Sequence, residues 1–280
     1  RACLACLLYK PDIVHIHALY WWSSYRELFL FLMARAGRAK CFLEIRAGGF
    51  RKFLSHGGLR VFFYKRMLAC VDGCSVQGSQ DFGLLAGFNK NCYVLPNFVD
   101  KQFVSVLRQT EFEHDEREGF LYIGAVSKEK NADELLDLAR MHSTKQFILI
   151  GAVDKSILNC EIPSNVKMLG RCDRSEIINN LLTCKYLIFL SEMAGEGQPN
   201  AIIEGLYFGL VPVTKNVGFV ADLIMDSYVY YTSPHTLDSV LAENTPKFTP
   251  DFWRQFRDSR EPKKQHDCLV EVYGSITRGR

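Results

Sequence analysis

Long apolar segments are missing from this sequence. The longest stretch without a charged residue, 13–25, has only 13 residues, whereas a membrane-spanning helix needs about 20 apolar residues. We therefore expect no segment to cross a bilayer. Hydrophobic residues make up 48% of the 280 residues and charged residues 23%. These fractions are usual for a globular protein and exclude a fibrous or disordered chain.

The motifs of three common enzyme classes are also absent. There is no G-x-G-x-x-G fingerprint of a dinucleotide site, no phosphate-binding P-loop and no G-x-S-x-G turn of a hydrolase nucleophile. The paired glycines of "RAGGF" (46–50) and "SHGGL" (55–59) are common in turns. The sequence therefore does not predict a nicotinamide dehydrogenase, a P-loop nucleotidase or an α/β-hydrolase.

The cysteine spacing predicts no metal site. The chain has ten cysteines, but a zinc site would need a second C-x-x-C pair or a histidine pair beside Cys3 and Cys6. Most of the others lie in apolar contexts such as "KCFLEI" and "NCYVLP", where a thiol behaves as a small buried hydrophobe. The chain also lacks an N-x-S/T acceptor. Unpaired thiols and this absence favour the reducing cytoplasm as the location.

Charge is divided unequally along the chain. Residues 1–110 contain 15 Lys and Arg against 6 Asp and Glu, whereas residues 111–280 contain 19 against 25. The net charge of +3 thus combines a basic half with an acidic half. This division predicts two domains with different partners, and an anionic partner for the first.

Short apolar runs alternate with amphipathic stretches, which predicts a doubly wound α/β protein with parallel strands. A polar stretch, "KQFVSVLRQTEFEHDERE" (101–118), interrupts the alternation. We assign the first domain to 1–105, an interdomain linker to 106–118 and the second domain to 119–280, with the last helix packing back toward the first domain. The first domain has four predicted strands against six in the second and begins abruptly at a strand, so we expect it to be incomplete.

The predicted elements follow from apolar runs and amphipathic periodicity. The predicted strands are Ile13–His17, Cys41–Ile45, Cys74–Gln77, Tyr93–Leu95, Phe120–Ile123, Phe147–Ile150, Val166–Leu169, Tyr186–Leu190, Val211–Thr214 and Val229–Tyr231. The predicted helices lie near 23–36, 58–71, 79–87, 131–141, 173–184, 199–208, 235–243 and 263–274.

The most informative segment is "FLSEMAGEGQPNAIIEGLYFGLVPV" (189–213). A strand is predicted to end at Leu190, and Pro199 stands where a helix is predicted to begin, because its fixed φ suits the first helical position. Free N–H groups at a helix start bind anions, and ligands of open parallel sheets lie beyond the carboxyl ends of strands. Glu196 and Glu204 flank this position, so one carboxylate can accept hydrogen bonds from a sugar and the other from a ribose. On spacing alone, an acid before a helix often only complements the helix dipole.

This segment resembles the E-G-x-P-x-x-x-x-E motif of the family 4 retaining glycosyltransferases, which have the GT-B fold. Other segments resemble that family in order and spacing. They are "KPDIVHIHALYWWS" (10–23), a strand ending in histidine; "LPNFVD" (95–100), before the linker; "FLYIGAVSKEKNADELLDLA" (120–139), the phosphate loop with its strand and helix; and "GLVPVTKNVGFVADLI" (209–224), which closes the donor site. The resemblance spans about residues 10–276. The family's first strands are missing, and the chain begins with Arg1, so we expect an N-terminally incomplete member.

The resemblance implies two Rossmann-like domains facing a cleft. The C-terminal domain is expected to bind a nucleotide-diphosphate sugar, and the N-terminal domain a glycan or lipid-linked glycan acceptor. Glu204 is expected to bind the ribose and Glu196 the transferred sugar, with retention and without a metal or other cofactor. The implied donor-binding residues are Gly124, Lys130, Glu196, Gly197, Gln198, Pro199, Asn200 and Glu204.

Position 125 departs from the family's pattern. The family's phosphate loop has G-R followed by a lysine five residues after the arginine. Here Gly124 is followed by Ala125, while Lys130 stands at the lysine position. The loss of one cation at the diphosphate is expected to weaken transition-state stabilisation. Two alternatives therefore stay open: a non-catalytic relative that binds a nucleotide sugar or glycan, and a GT-B nucleotide-sugar epimerase.

The candidate catalytic residues are Glu196, Lys130 and His17. His17 closes the strand "DIVHIH" in the acceptor-side domain, and His15 lies on the same face of that strand. For both histidines, the alternative is a side chain that is satisfied in the core.

A basic stretch extends over residues 35–66, with nine Lys and Arg against one acid, Glu44. The apolar residues that interleave with it include Phe50, Phe53, Leu54, Phe62 and Phe63. This pattern suits an anionic membrane surface and predicts a peripheral position on the inner face of the cytoplasmic membrane. No nucleic-acid motif accompanies the stretch, so nucleic acid is not an expected partner. The alternative is a solvated helix face whose apolar residues pack inward.

Overall fold

The chain forms two compact units. A computed structural model describes residues 8–109, 117–193, 195–224, 231, 233, 237, 238, 241 and 248–278. The first unit comprises Arg1–Asn97, Gly195–Gln198 and Lys263–Arg280, and the second comprises Phe98–Ala194 and Pro199–Pro262. Within the described residues, no helix combines the length and the apolar character that crossing a membrane requires.

The first unit contains a four-stranded parallel sheet with its strands in chain order. The strands are β1 (Ile13–Ala18), β2 (Lys40–Ile45), β3 (Gly73–Val76) and β4 (Cys92–Val94). Four helices connect them: α1 (Ser24–Ala36), α2 (Phe50–Ser55), α3 (Gly58–Cys70) and α4 (Ser79–Ala86).

The second unit contains a five-stranded parallel sheet in the order β7-β6-β5-β8-β9. The strands are β5 (Phe120–Ile123), β6 (Phe147–Ile150), β7 (Val166–Gly170), β8 (Tyr186–Phe189) and β9 (Val211–Thr214). The helices are α5 (Lys101–Leu107), α6 (Ala132–Met141), α7 (Lys155–Leu158), α8 (Arg174–Thr183), α9 (Asn200–Tyr207) and α10 (Pro250–Arg260). The last helix, α11 (Pro262–Arg278), belongs to the first unit from Lys263 onward. Within that unit its Val272 and Ile276 pack against Phe42 and Leu95.

The central strands form the cores because both of their faces are covered. All four residues of β8 are buried, as parallel strands between helix layers require. Across the second sheet, the Phe120 ring stacks on Phe147 and Tyr186 with ring centroids 4.7 and 4.8 Å apart. These three rings are register partners on β6, β5 and β8. Truncating Phe120 to alanine is expected to cost about 3–5 kcal/mol, the usual cost for a fully buried phenylalanine.

The α/β fold class with parallel sheets is confirmed, and most predicted elements are present with ends shifted by one or two residues. Helices α2, α5, α7 and α10 were not predicted. Helix α5 lies where the polar stretch 101–118 predicted an interruption, and Asp100 begins it by accepting a hydrogen bond from the Gln102 N–H. Residues 229 and 230 of the predicted strand Val229–Tyr231 and residues 110–116 of the predicted linker lie outside the described residues. So does most of the predicted helix 235–243. The predicted domain limits stay predictions.

Candidate functional site

The strand order of the second unit creates a switch point between β5 and β8. From β5 the chain proceeds to β6 and β7 on one side, and then to β8 and β9 on the other. The loops after β5 and β8 therefore diverge at the carboxyl edge of the sheet. Ligands of open α/β sheets bind in this crevice.

The loop after β5 is held in one conformation by hydrogen bonds and by a close backbone approach. The Gly124 N–H donates to the Ile150 carbonyl at 2.9 Å, and the Tyr122 hydroxyl donates to the Ala125 carbonyl at 2.7 Å. A Cβ added at Gly151 would lie 1.8 Å from the Gly124 carbonyl oxygen. Only glycine at position 151 allows this approach, so the start of the predicted phosphate loop is fixed.

Lys130 lies at the end of a short 3₁₀ turn, Lys128–Lys130, directly before α6. Asn131 follows in the left-handed region with a φ of 57°. Its side-chain amide donates to the Leu190 carbonyl and to Glu192 Oε2, both at 3.0 Å. Asn131 thus ties the loop after β5 to the loop after β8, on the two sides of the switch point.

A pocket of about 480 Å³ opens beside this tie. Its lining residues are Glu192, Lys215, Asn216, Val217 and Tyr231. The Lys215 ammonium lies 2.7 Å from Glu134 Oε2 and 3.2 Å from Glu192 Oε2. Burial alone would lower the pKa of Lys215, but its hydrogen bonds to Glu134 and Glu192 outweigh burial and raise the pKa. Lys215 is therefore a fixed cation at the carboxyl end of β9.

Glu204 projects from α9 and is largely buried, with 17% of its side chain exposed. Arg174 places Nη1 3.8 Å from Glu204 Oε1 and Nη2 3.4 Å from Asp100 Oδ2. Burial, opposed by the Arg174 charge and assisted by the Asp100 charge, raises the pKa of Glu204 to about 7. The single distant guanidinium does not compensate for burial. Glu204 is therefore a carboxyl group that changes charge near neutral pH.

The start of α9 differs slightly from the prediction. Pro199 is the capping residue with an extended ψ of 119°, and Asn200 is the first helical residue. The Ile202 and Ile203 N–H groups donate to the Pro199 carbonyl. No side chain caps this helix.

The loop segment 195–198 belongs to the first unit. The Gln198 side chain donates to the Gln77 carbonyl at 2.9 Å and accepts from the Asn97 N–H at 2.9 Å. A Cβ at Gly197 would lie 2.2 Å from Gln77 Oε1, and a Cβ at Gly48 would lie 1.7 Å from the Glu196 carbonyl oxygen. The backbone contact with Glu196 thus explains why Gly48 is glycine, and the Gln198 side chain is engaged within the protein.

His17 lies in a cluster at the carboxyl end of the first sheet. The register pairs it with Glu44 of β2. His17 Nδ1 and His15 Nε2 each lie 2.9 Å from Glu44 Oε2, while Arg46 Nε donates to Glu44 Oε1 at 3.1 Å. Burial alone would raise the pKa of Glu44, but the His15 hydrogen bond and the Arg46 charge outweigh burial, so the pKa is lowered. Burial lowers the pKa of His17, with Glu44 opposing the shift.

The structure distributes the predicted residues over both units. Gly124, Lys130, Pro199, Asn200 and Glu204 lie in the second, and His17, Glu196, Gly197 and Gln198 in the first. Sequence reasoning did not find Asp100, Arg174, Asn131, Lys215 or Glu44. Of these, only Lys215 had a local signal, because it follows the predicted strand 211–214 directly. The roles of all these residues stay predictions.

Part of the chain is similar to a known protein family and to a curated relative. Residues 105–243 match the family described as "Glycosyl transferases group 1". A relative from Klebsiella pneumoniae, named "Uncharacterized 42.6 kDa protein in cps region", is 28% identical over 207 residues, which cover 71% of this chain and 50% of that protein. The chain thus spans about half the length of this curated relative.

Two solved structures illustrate the shared fold. Anabaena HepE, in complex with UDP, superposes with a TM-score of 0.73 at 12% identity, covering 98% of this chain and 80% of that chain. A UDP-forming α,α-trehalose-phosphate synthase from Burkholderia xenovorans gives 0.70 at 11% identity, covering 98% and 76%. These likenesses show that the chain shares the fold of the two solved structures, and that residues 105–243 are similar to the group 1 family.

Proposed function

We propose that this protein transfers a sugar from a nucleotide-diphosphate sugar to a glycan or lipid-linked glycan, with retention at the anomeric carbon and without a metal ion. The observation that carries the proposal is the placement of Gly124 and Lys130 at the switch-point loop of the second unit, with Glu204 on the helix that follows β8. The group 1 match includes all three residues. The complexes of HepE with UDP and with UDP and glucose support a nucleotide sugar as the donor.

In this proposal, the second unit stabilises the leaving diphosphate electrostatically. Lys130 and the positive end of the α9 helix dipole face the negative charge that develops as the glycosidic bond breaks. Glu204 accepts hydrogen bonds from the ribose hydroxyls, and Glu196 accepts them from the transferred sugar. The backbone of residues 197–200 lies near the sugar and the diphosphate. His17 takes part in catalysis from the first unit, which is proposed to bind the acceptor.

A panel of nucleotides tests the donor class. UDP, GDP, ADP and dTDP are compared by thermal shift on the full chain, and the corresponding glucose or mannose nucleotides are then assayed for hydrolysis and transfer. We expect one base to stabilise the protein, by about 2.7 kcal/mol at a hundredfold excess over Kd. Stabilisation by none of the four would contradict the donor site.

The product distinguishes the chemistries. Proton NMR of the transferred sugar should show the anomeric configuration of the donor. A product with the inverted anomeric configuration would contradict retention but would still agree with the proposed donor site. A donor whose sugar is epimerised without an acceptor would instead favour the epimerase.

A non-catalytic nucleotide-sugar-binding protein is the second candidate, and Ala125 favours it. Ala125 is exposed on the loop after β5, where the resembling family has an arginine. Ala125→Arg restores a forked donor at the diphosphate. We expect donor affinity or turnover to rise in this variant, with Ala125→Gln as the uncharged control. Binding of nucleotide without transfer in both the wild type and Ala125→Arg would favour the non-catalytic candidate.

For the acceptor side, we propose a lipid-linked glycan at an anionic membrane surface. The cps region in the name of the Klebsiella pneumoniae relative supports a glycan acceptor. The exposed apolar residues of α3 are Leu59, Phe62 and Phe63, at 77%, 51% and 50% exposure, and the basic Arg60 and Arg66 lie among them. Such a face can combine apolar insertion with attraction to anionic lipids.

Part of the sequence prediction for this surface was wrong. Phe50, Phe53 and Leu54 are buried in the first core, where Phe53 packs edge-on against Tyr64. These three side chains cannot contact a membrane. Helix α1 instead adds exposed apolar side chains that the basic stretch did not include, namely Tyr25, Phe29 and Leu32.

Liposome flotation tests the membrane proposal. Each Lys or Arg near an anionic surface contributes about 1 kcal/mol, and salt screens that contribution. Neutralising Arg51, Lys52, Lys65 and Arg66 together should release the protein from phosphatidylserine vesicles. A control variant neutralises four exposed residues of the second unit: Lys145, Lys155, Lys167 and Arg171. Failure of the wild type to float at low salt, or equal loss in both variants, would contradict the proposal.

A further inference from the structure

Three potential metal ligands converge in the first unit, within the part of the chain that the structure describes. One donor atom from each of His15, His17 and Glu44 lies within 4.8 Å of the other two. Both imidazoles direct a ring nitrogen at the same carboxylate oxygen, Oε2, at 2.9 Å. The other oxygen, Oε1, accepts from Arg46. The carboxylate is therefore fixed with one oxygen facing the two histidines.

The strand pairing makes this arrangement rigid. His15 and His17 alternate on β1 and share a face, and β2 places Glu44 directly beside His17 in the register. All three residues are on regular strands at the carboxyl edge of the sheet. Donors held on strands need little reorganisation to meet an ion, which favours binding.

The surroundings of His15 fit a ligand rather than a simple core residue. Its Nδ1 lies 2.6 Å from the Tyr273 hydroxyl of α11. When an ion binds, Nδ1–H can donate to that oxygen and leave the Nε2 lone pair for the ion. Histidines that ligate metals usually make such an outer hydrogen bond with the second ring nitrogen.

Access and chemistry point to the same ion class. Glu44 has only 3% of its side chain exposed, whereas His17 has 58%. An ion can therefore enter past His17 and retain an open coordination position on that side. Two imidazoles and one carboxylate suit Zn²⁺ and similar first-row divalent ions, and poorly suit Mg²⁺ or Ca²⁺.

We propose that His15, His17 and Glu44 form a binding site for one divalent transition-metal ion of the Zn²⁺ type. All three residues belong to the first unit, whereas the diphosphate chemistry is proposed for residues of the second unit. Its test measures metal binding and does not depend on the proposed transfer reaction, so either proposal can fail alone.

Zinc competition on the full chain tests the site. The reduced protein is titrated with Zn²⁺ against a chromophoric chelator, and the wild type is compared with His17→Ala, Tyr273→Phe and a control, His266→Ala. His266 is exposed on α11, outside the cluster. We expect His17→Ala to abolish one zinc equivalent. Tyr273→Phe should weaken that equivalent about tenfold, the usual effect of losing an outer hydrogen bond to a ligand. His266→Ala should match the wild type.

Background binding by the cysteines is common to all four proteins and cancels in the comparison. His17 is an exposed side chain, and circular dichroism with thermal unfolding verifies that His17→Ala remains folded. Equal zinc stoichiometry and affinity in the wild type and His17→Ala would overturn the proposal. Equal loss in His266→Ala would overturn it as well.

Discussion

Glu44 of the first unit and Glu204 of the second are both largely buried carboxyl groups, with 3% and 17% of their side chains exposed. Their pKa values nevertheless shift in opposite directions. Glu44 has two histidines at 2.9 Å and Arg46 at 3.1 Å, and its pKa is lowered. Glu204 has one guanidinium at 3.8 Å with Asp100 nearby, and its pKa is raised to about 7.

The difference shows that burial does not decide the charge of a carboxyl group by itself. Burial raises the pKa of both residues, and the number of close cationic or hydrogen-bonding partners then decides the sign of the shift. Both carboxylate oxygens of Glu44 have close partners within the protein. Glu204 has one guanidinium at 3.8 Å, and a ligand with hydroxyl groups would supply further hydrogen bonds.

The largest expected effect is on nucleotide affinity, which should depend on Glu204 but not on Glu44. If Glu204 holds the ribose, Glu204→Ala should weaken nucleotide binding by about 1.5–3 kcal/mol, the value of hydrogen bonds to a charged group. Glu44→Gln should leave nucleotide affinity unchanged. Isothermal titration with UDP and GDP measures both. Equal weakening in the two variants, or none in Glu204→Ala, would break the comparison.

The next largest effect is on the pH dependence of the free energy of unfolding. A folded Glu204 keeps its proton up to about pH 7, whereas the ordinary pKa of a glutamic acid side chain is 4.5. The folded state thus binds more protons between these values, and its stability falls as the pH rises through that window. Glu204→Gln removes this loss, so the variant should gain about 2 kcal/mol over the wild type between pH 5 and pH 8. Chemical denaturation at both pH values measures it, with Glu161→Gln on the surface as the control. If the free energy of unfolding changed equally between pH 5 and pH 8 in the wild type and in Glu204→Gln, the raised pKa of Glu204 would be contradicted.

A smaller, paired effect sharpens the account of Glu204. Arg174→Gln removes the cation and should raise the pKa of Glu204 further, whereas Asp100→Asn removes the anion and should lower it. Asparagine can replace aspartate as the cap of α5, so the second variant should keep its fold. The midpoint at which UDP-glucose affinity rises with pH reports the pKa, because the ionised carboxylate is the stronger acceptor. Shifts of the same sign in both variants would rule out this electrostatic explanation.

The smallest expected effect is on metal removal. Because Lys130 and the positive end of the α9 helix dipole are proposed to stabilise the diphosphate, adding Mg²⁺ or Mn²⁺ to EDTA-dialysed protein should leave the transfer rate unchanged. The rate after dialysis against EDTA is measured with and without either ion. A strict requirement for added Mn²⁺ or Mg²⁺ would show that the donor site needs an ion.

Local signals in the sequence were sufficient for the framework of both carboxylate regions. Apolar runs such as "YLIF" predicted the strands, and Glu204 was found from the segment that surrounds it. Helix α10 could also have been predicted, since Thr249 caps it and Pro250 stands at its start. These features depend only on neighbouring residues.

The partners of the two carboxyl groups could not be predicted in the same way. Glu44 meets His17 through the register of β1 and β2, and Arg174 meets Glu204 across 30 positions of sequence. The burial of Phe50 and Phe53 depends on tertiary packing that a basic and aromatic stretch does not specify. Such contacts depend on long-range packing, which residue spacing along the chain does not predict.

Hydrogen–deuterium exchange with UDP tests the central claim, that the second unit binds the nucleotide of the donor. The full chain is compared with and without saturating UDP, and slowed exchange locates the segments that the ligand protects. We predict protection in residues 122–131 and 200–206, with little change in 13–18 and 40–46. Protection confined to the strands around His17 and Glu44, with none at 122–131 or 200–206, would contradict the account.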